Sequence, residues 1–406
     1  MNEEKQFLLL DIDGVLLDSN GYRLAYQDAA SRFIHQFGQP DVDVESDVWE
    51  AYLAEGITAE WDMVPLTLLS FLDMYCSETG ETPSMDCFTG ACNSIRYTDR
   101  KEFTERLLSY IPKFGKLIVP NTLVFAGIRD ALVNGSDALP SLRGTEVLKT
   151  MLTDTLNPHT CPFFACLMTN LLGSATFRSF YGIEPPFEMV SLLETADKKL
   201  ISEANRELLP TLPAKGIYPV VMTYRPTLLP RTEGDGNQSS AYFVNTPEGE
   251  CALRLLGWDD GRVPIIGAGS LCWIEEKYQL PREAYVKPHP MHALSAMLYP
   301  LCGSETESLE LARALCGDEP HADINRVYEL LPKSTPVRLS VFEDSVSGIG
   351  SCIRAAEVLR KHGYSVRTDL NGIKTTPKKN ERLLEIGAKL YENFNEAFDA
   401  AVNVKG

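Results

Sequence analysis

Apolar residues follow two rhythms along this chain. Near the amino terminus a short, almost unbroken run, Phe7-Leu8-Leu9-Leu10, stops abruptly at Asp11, as a strand buried on both faces does. From Tyr22 the texture changes. Leu24, Tyr26, Ala29, Ala30, Phe33, Ile34 and Phe37 recur at helical spacing, and Gly38 supplies a stop. Similar segments follow around 46–55, 64–77, 102–111, 124–133, 145–156 and 171–181, with little period-two alternation between them. Residues 20–204 therefore read as one mostly helical insertion.

Near Ala204 strands return. A helical run ends at Lys215-Gly216, Ile217-Tyr218-Pro219-Val220-Val221-Met222 reads as a strand, and it stops at Thr223. A polar loop (230–240), a helix (247–256) and the short strand Val263–Ile266 come next. Tyr285–Pro290 and three helical segments (291–332) follow. Arg338–Phe342 is a further buried strand, ending at Glu343-Asp344. A helix (349–362), a strand (364–369) and a last amphipathic helix (379–401) complete the pattern. Strands alternating with helices predict a parallel sheet. The expected fold is thus an α/β, Rossmann-like parallel-sheet core formed by 1–19 and 205–406, with a large helical domain, 20–204, inserted after the first strand.

Composition narrows the partners. A formal charge of −18 and a pI near 4.9 disfavour nucleic acid and anionic membranes, which both recruit clustered Lys and Arg. No run approaches the roughly 20 apolar residues of a membrane span, and the polar start Met1–Gln6 does not resemble a secretory signal. Ten cysteines without a Cys-x-x-Cys pair read as reduced thiols of a cytoplasmic protein. Cys87/Cys92 and Cys161/Cys166 match zinc spacing poorly, and the sequons at Asn134 and Asn237 carry no meaning without secretion.

Three polar sites stand directly after apolar strands: Asp11/Asp13, Thr223 and Glu343/Asp344. In an open parallel sheet the carboxyl ends of the strands border the crevice where ligands bind, so topology alone would gather them. Asp11 and Asp13, at i and i+2 of an extended segment, point the same way. Two carboxylates that close call for a cation between them or a shared proton, and magnesium is the natural cation.

These stretches resemble, in order, the four motifs of the haloacid-dehalogenase-like (HAD) superfamily. Asp11-Ile12-Asp13-Gly14-Val15 is similar to its nucleophile motif, Val220-Val221-Met222-Thr223 to the second and Lys287-Pro288-His289-Pro290 to the third. Phe342-Glu343-Asp344-Ser345-Val346-Ser347-Gly348 resembles the form of the fourth found in phosphatases and phosphomutases like β-phosphoglucomutase. The motif-bearing stretches span about half the chain. The resemblance implies that Asp11 attacks phosphorus and that Asp13 acts as acid and then base. The residue types fit: a carboxylate can hold a phosphoryl group as an acyl phosphate, and a second can move the proton. Magnesium would sit on Asp11, the Asp13 backbone carbonyl and Asp344, with Glu343 in or beside its ligand shell. Thr223 and Lys287 would bind phosphate, and Arg225 would reach a second anionic group of the substrate.

The insertion occupies the place of that family's cap but is much longer, so the resemblance does not carry a substrate class. The expected function is a phosphatase acting on a small phosphate monoester. A phosphomutase using the same residues, or a silent relative binding a partner on its insertion, are the alternatives. Self-association is left open. Thr169, after Leu167-Met168, is a rival to Thr223. His289 and His292 read as loop and helix-start residues, Gly267-x-Gly269 as a turn after a strand, Asp18 and Ser19 as a helix start, and Trp49, Trp61 and Tyr75 as core.

Overall fold

The computed structural model describes residues 3–82, 90–119, 124–230, 245–317 and 324–402. Cys87, Asn237 and all but the first residue of the polar loop expected at 230–240 lie outside them. The chain divides into two compact units, 1–19 with 197–406, and 20–196. The second crossing therefore falls at 196/197 rather than 204/205.

Among the described residues the first unit carries eight strands: β1 (Lys5–Leu10), β2 (Leu17–Asp18), β3 (Lys198–Lys199), β4 (Ile217–Met222), β5 (Ile265–Ile266), β6 (Val337–Glu343), β7 (Val366–Ile373) and β8 (Lys389–Tyr391). Six of them form one parallel sheet in the order β5-β4-β1-β6-β7-β8. Period-two alternation splits its side chains between two cores. Phe7, Leu9, Val220, Met222, Leu339 and Val341 pack on one face, with the helices Pro290–Cys302 and Val346–Lys361. Leu8, Leu10, Val221 and Phe342 pack on the other, with Glu248–Leu256 and Phe394–Val402. Burial on both faces is why these strands read as unbroken apolar runs.

From β1 the chain builds outward in both directions, to β4 and β5 on one side and to β6, β7 and β8 on the other. This makes the carboxyl end of β1 a topological switch point, the place where open α/β sheets generally bind ligands. The short strands β2 and β3 pair antiparallel, Leu17 with Lys199 and Asp18 with Lys198. The two ends of the first unit's broken chain are thereby joined beside the switch point.

The expected final helix 379–401 is in fact two helices, Pro377–Glu385 and Phe394–Val402, separated by β8. Gly387 (φ 83°) follows the first helix, and its neighbour Ala388 donates back to Leu383 O, a left-handed closure that turns the chain into the sheet. β7 also runs further than expected, to Ile373.

Unit 20–196 is built of helices, among them Asn20–Gln36, Glu60–Thr79 and Pro162–Tyr181. Aromatic contacts knit these together: Phe33 meets Phe163 edge-on at 4.7 Å and Phe37 stacks on Phe71 at 5.8 Å. Tyr75 is core, as expected, whereas Trp49 and Trp61 are only half-buried; Trp49 donates its indole N–H to Glu60. No helix among the described residues is long and apolar enough to cross a membrane.

Leu9 lies fully buried in the central strand, so Leu9→Ala should cost about 3 kcal/mol through lost transfer energy and the cavity left behind. A urea midpoint that falls with an unchanged slope is the expected reading.

Candidate active site

Asp11 continues β1 by one residue, its N–H donating to Phe342 O of the neighbouring strand at 3.1 Å. Beyond it the chain turns tightly, with Leu16 and Leu17 N–H both donating to Ile12 O at 2.9 Å. Gly14 sits in this turn at φ 73°, a conformation that a side chain disfavours. A Cβ there would also stand 3.1 Å from the Asp344 carboxylate. The glycine thus serves both the turn and the close approach of two acidic loops.

The ends of β1 and β6 bring three carboxylates together: one oxygen each of Asp11, Glu343 and Asp344 lie within 4.8 Å of one another. Lys287 reaches into this group from a turn ahead of the helix Pro290–Cys302. Its Nζ lies 3.0 Å from Asp11 Oδ1, 2.5 Å from Glu343 Oε1 and 2.9 Å from Met222 O. The Lys287 side chain is only 7% exposed. Burial alone would push its ammonium down, but Asp11 and Glu343 reverse that and hold it above the ordinary lysine value. The second Glu343 oxygen accepts from Ser345 N and Oγ at 3.2 and 2.6 Å. Both Glu343 oxygens are thus engaged by protein donors, which makes this side chain an anchor for Lys287 at the edge of the cluster. Gly348 is required beside it, since a Cβ there would collide with the Glu343 carboxylate.

Burial, and then Glu343, push the Asp11 carboxyl well above the usual range, and Lys287 offsets this only in part. Asp344 is raised as well, by burial, against the pull of Lys379. Lys379 Nζ lies 3.1 Å from Asp344 Oδ2. Hard oxygen donors, crowded and held at raised pKa by their own burial, suit a divalent cation such as magnesium. Asp11 and Asp344 offer side-chain oxygens for it.

Thr223 terminates β4 and is fully buried. Its N–H donates to Ile266 O at 3.1 Å, and its hydroxyl accepts the Arg225 N–H at 3.1 Å. Its rival Thr169 lies inside the helix Pro162–Tyr181, where its hydroxyl donates to Ala165 O, a helix-internal bond.

Arg225 departs from its expected place. Its side chain is only 2% exposed, and its Nε and Nη2 are committed to carboxylates. Nε stands 3.0 and 3.1 Å from the two oxygens of Asp13, and Nη2 stands 2.6 Å from Asp13 Oδ1 and 2.9 Å from Asp197 Oδ2. A guanidinium buried this deeply has to be paired, and Asp13 and Asp197 do so. The Asp13 side chain is accordingly turned to Arg225, so any metal ligand from this residue is its backbone carbonyl. Burial would raise the Asp13 carboxyl, but the charge and hydrogen bonds of Arg225, aided by Ser19, hold it below its ordinary value.

His289 caps the helix Pro290–Cys302 by accepting Met291 N–H. His292 is fully buried against Ile266 O, with its imidazole pushed down to about 3 by burial and then by Lys287. Gly267 precedes the helix Ala268–Lys277, a turn after β5 as expected. Asp18 lies in β2 and the helix begins at Asn20, while Ser19 donates its hydroxyl to Asp13. That contact, Lys379, Ser345 and Asp197 had no assignment from sequence. Only Ser345 lay within a motif, and Asp197 carried no signal because its partner is 28 residues away. Every cysteine among the described residues is a free thiol. A cavity of about 410 Å³ lined by Thr227, Glu250, Tyr299 and Glu305 is bordered by none of the four motif carboxylates, so its volume does not mark the site described here.

No family model and no curated protein matches the chain. An X-ray structure of a Northeast Structural Genomics Consortium target is similar in fold, with a TM-score of 0.58 at 12% identity over 99% of each chain. At that identity the likeness concerns the architecture alone, an α/β parallel-sheet core with a large helical insertion.

The Asp13–Arg225 pair sets a pH dependence. A carboxyl lowered by folding contributes stability that is present above its ordinary value of 3.8 and lost as pH falls through the folded value. Asp13→Asn should therefore unfold more easily than the parent near pH 7, with the difference shrinking as pH falls below the ordinary carboxyl value of 3.8. Paired urea curves across that range test it.

Proposed function

We propose that the chain is a magnesium-dependent phosphatase of the HAD type, acting on a small phosphate monoester through an aspartyl-phosphate intermediate. The observation that carries this reading is the convergence of Asp11, Thr223, Lys287 and Asp344 at neighbouring strand ends, with Lys287 Nζ 3.0 Å from Asp11.

In the proposed reaction an Asp11 carboxylate oxygen forms a bond to phosphorus as the ester oxygen leaves, and Asp13, carrying a proton, delivers it to that oxygen. Water then attacks the acyl phosphate while Asp13 takes its proton, which releases phosphate and regenerates the Asp11 carboxylate. Lys287 neutralises charge shared between Asp11 and the phosphoryl oxygens, and the Thr223 hydroxyl has its hydrogen to donate to one of them. Magnesium, held by Asp11, Asp344 and the Asp13 carbonyl, would supply positive charge against the phosphoryl oxygens. The free thiols fit a reducing, cytoplasmic setting.

Purified protein should release phosphate from p-nitrophenyl phosphate with magnesium and stop when the metal is chelated. Asp11→Asn should lose activity to near background, and Asp13→Asn should lose about 10²–10⁴-fold in kcat. Undiminished turnover in Asp11→Asn removes the mechanism.

A further inference from the structure

We propose that Asp197 is a positioning residue for this site, acting on Asp13 through Arg225. The inference rests on Asp13 being the acid/base group of the reading above.

Asp197 is the first residue after the insertion and Ser19 the last before it. The β2–β3 pair, extended by Leu200 N–H donating to Leu16 O at 2.9 Å, brings these two distant positions beside Asp13. The Asp197 side chain is fully buried, and Arg225 Nη2 lies 2.9 Å from its Oδ2. A guanidinium is a planar, rigid fork, so fixing the Nη2 edge against one carboxylate fixes the direction in which Nε and Nη2 meet another. Nη2 also reaches Ser19 Oγ at 3.3 Å, but Asp197 is the charged anchor besides Asp13, and its loss would let the guanidinium plane, and Asp13 with it, turn away from this setting.

The hold on Asp13 is lopsided. Among the described residues, Oδ1 accepts from Arg225 Nε, from Arg225 Nη2 and from the Ser19 hydroxyl, whereas Oδ2 accepts only from Nε, at 3.1 Å. An oxygen with three donors has no capacity left for a fourth. Oδ2 is therefore the atom that exchanges a proton with leaving group and water, and Asp197, by setting the guanidinium plane, sets where Oδ2 points. Asp197 needs no contact with substrate for this, as outer residues tune a metal's ligands without touching the metal.

Asp197→Asn keeps the shape of the side chain and removes its charge. With p-nitrophenyl phosphate it should lower kcat by about 10–100-fold and leave KM within about threefold. Arg225→Lys keeps a positive charge but loses the fork, and should show the same split. If Asp197 works only through Arg225, Asp197→Asn added to Arg225→Met costs no more than about a further twofold, the non-additivity expected of residues in one network. A parent-like kcat in either single variant, or losses that multiply in the double variant, overturns the proposal. A readout independent of turnover is the Arg225 Nε–H resonance in ¹H–¹⁵N spectra. It should be slow-exchanging in the parent and broadened in Asp197→Asn. If the parent releases no phosphate while this resonance still responds, the phosphatase reading fails and the positioning geometry stands. An unaltered resonance in Asp197→Asn overturns the positioning role whatever the activity.

Discussion

A single buried ammonium holds the acidic end of this sheet together. Lys287 spans Asp11 at the end of β1 and Glu343 at the end of β6, and it also donates to the last carbonyl of β4. Three strand ends meet at one atom. Carboxylates gathered within 4.8 Å would repel one another in a poorly solvated pocket without it. Breaking such a buried pair by removing one partner typically costs about 3–5 kcal/mol, mostly from the charge left behind. The lysine is thus as much part of the fold as of the chemistry. The Ser345 bonds to Glu343 and the absence of a side chain at Gly348 serve the same end.

Topology makes that meeting possible. β1 is central, and its two neighbours, both parallel to it, are contributed by segments some 200 and 330 residues further along, as the crossovers of a parallel sheet allow. The insertion leaves this sheet undisturbed because the chain exits and returns through adjacent strands, β2 and β3, beside the switch point. The same ribbon delivers Ser19 to Asp13 and Asp197 to Arg225. One local pairing therefore closes the broken core and completes the surroundings of a motif aspartate.

The parallel core and its helical insertion were legible because each strand buried on both faces leaves a short apolar run ended by a polar residue, and each helix leaves a stripe. What failed were short elements whose signal is weak. β8, with three residues of mixed polarity, was absorbed into a helix; only its partner β7 and the turn at Gly387 define it. In the site, Asp11, Thr223 and Asp344 could be placed from their positions after apolar runs, and Lys287 from its Lys-Pro-x-Pro resemblance and its place ahead of a helix. Arg225 could not, because an arginine after a strand looks the same whether it faces a ligand or a buried carboxylate. Its true partner, Asp197, lies in an Asp-Lys-Lys stretch that reads as surface. Lys379 was invisible for the same reason: an exposed lysine gains meaning only from what it touches.

The two motif aspartates stand in opposite fields. Asp11 is pushed up by burial and by Glu343, while Asp13 is pulled down by Arg225. For the proposed reaction this is the reverse of what each step first requires, since the attacking carboxylate must be ionised and the acid must carry a proton. The protein's own cations near the cluster explain the inversion. Lys287 divides its charge between Asp11 and Glu343, and Lys379 touches only Asp344, so Asp11 receives less positive charge than its burial demands. A divalent cation among these oxygens would supply what is missing and, in the proposed reaction, would favour the ionised form of Asp11. Asp13 has no such deficit: a buried arginine fixed from behind by Asp197 is a permanent counter-charge. Its resting state as a carboxylate is therefore that of a base ready to accept a proton, and Oδ2, held by the Nε contact, is the oxygen that would take it. What drives the two carboxyls apart is burial at one and, at the other, an arginine at the margin of a motif.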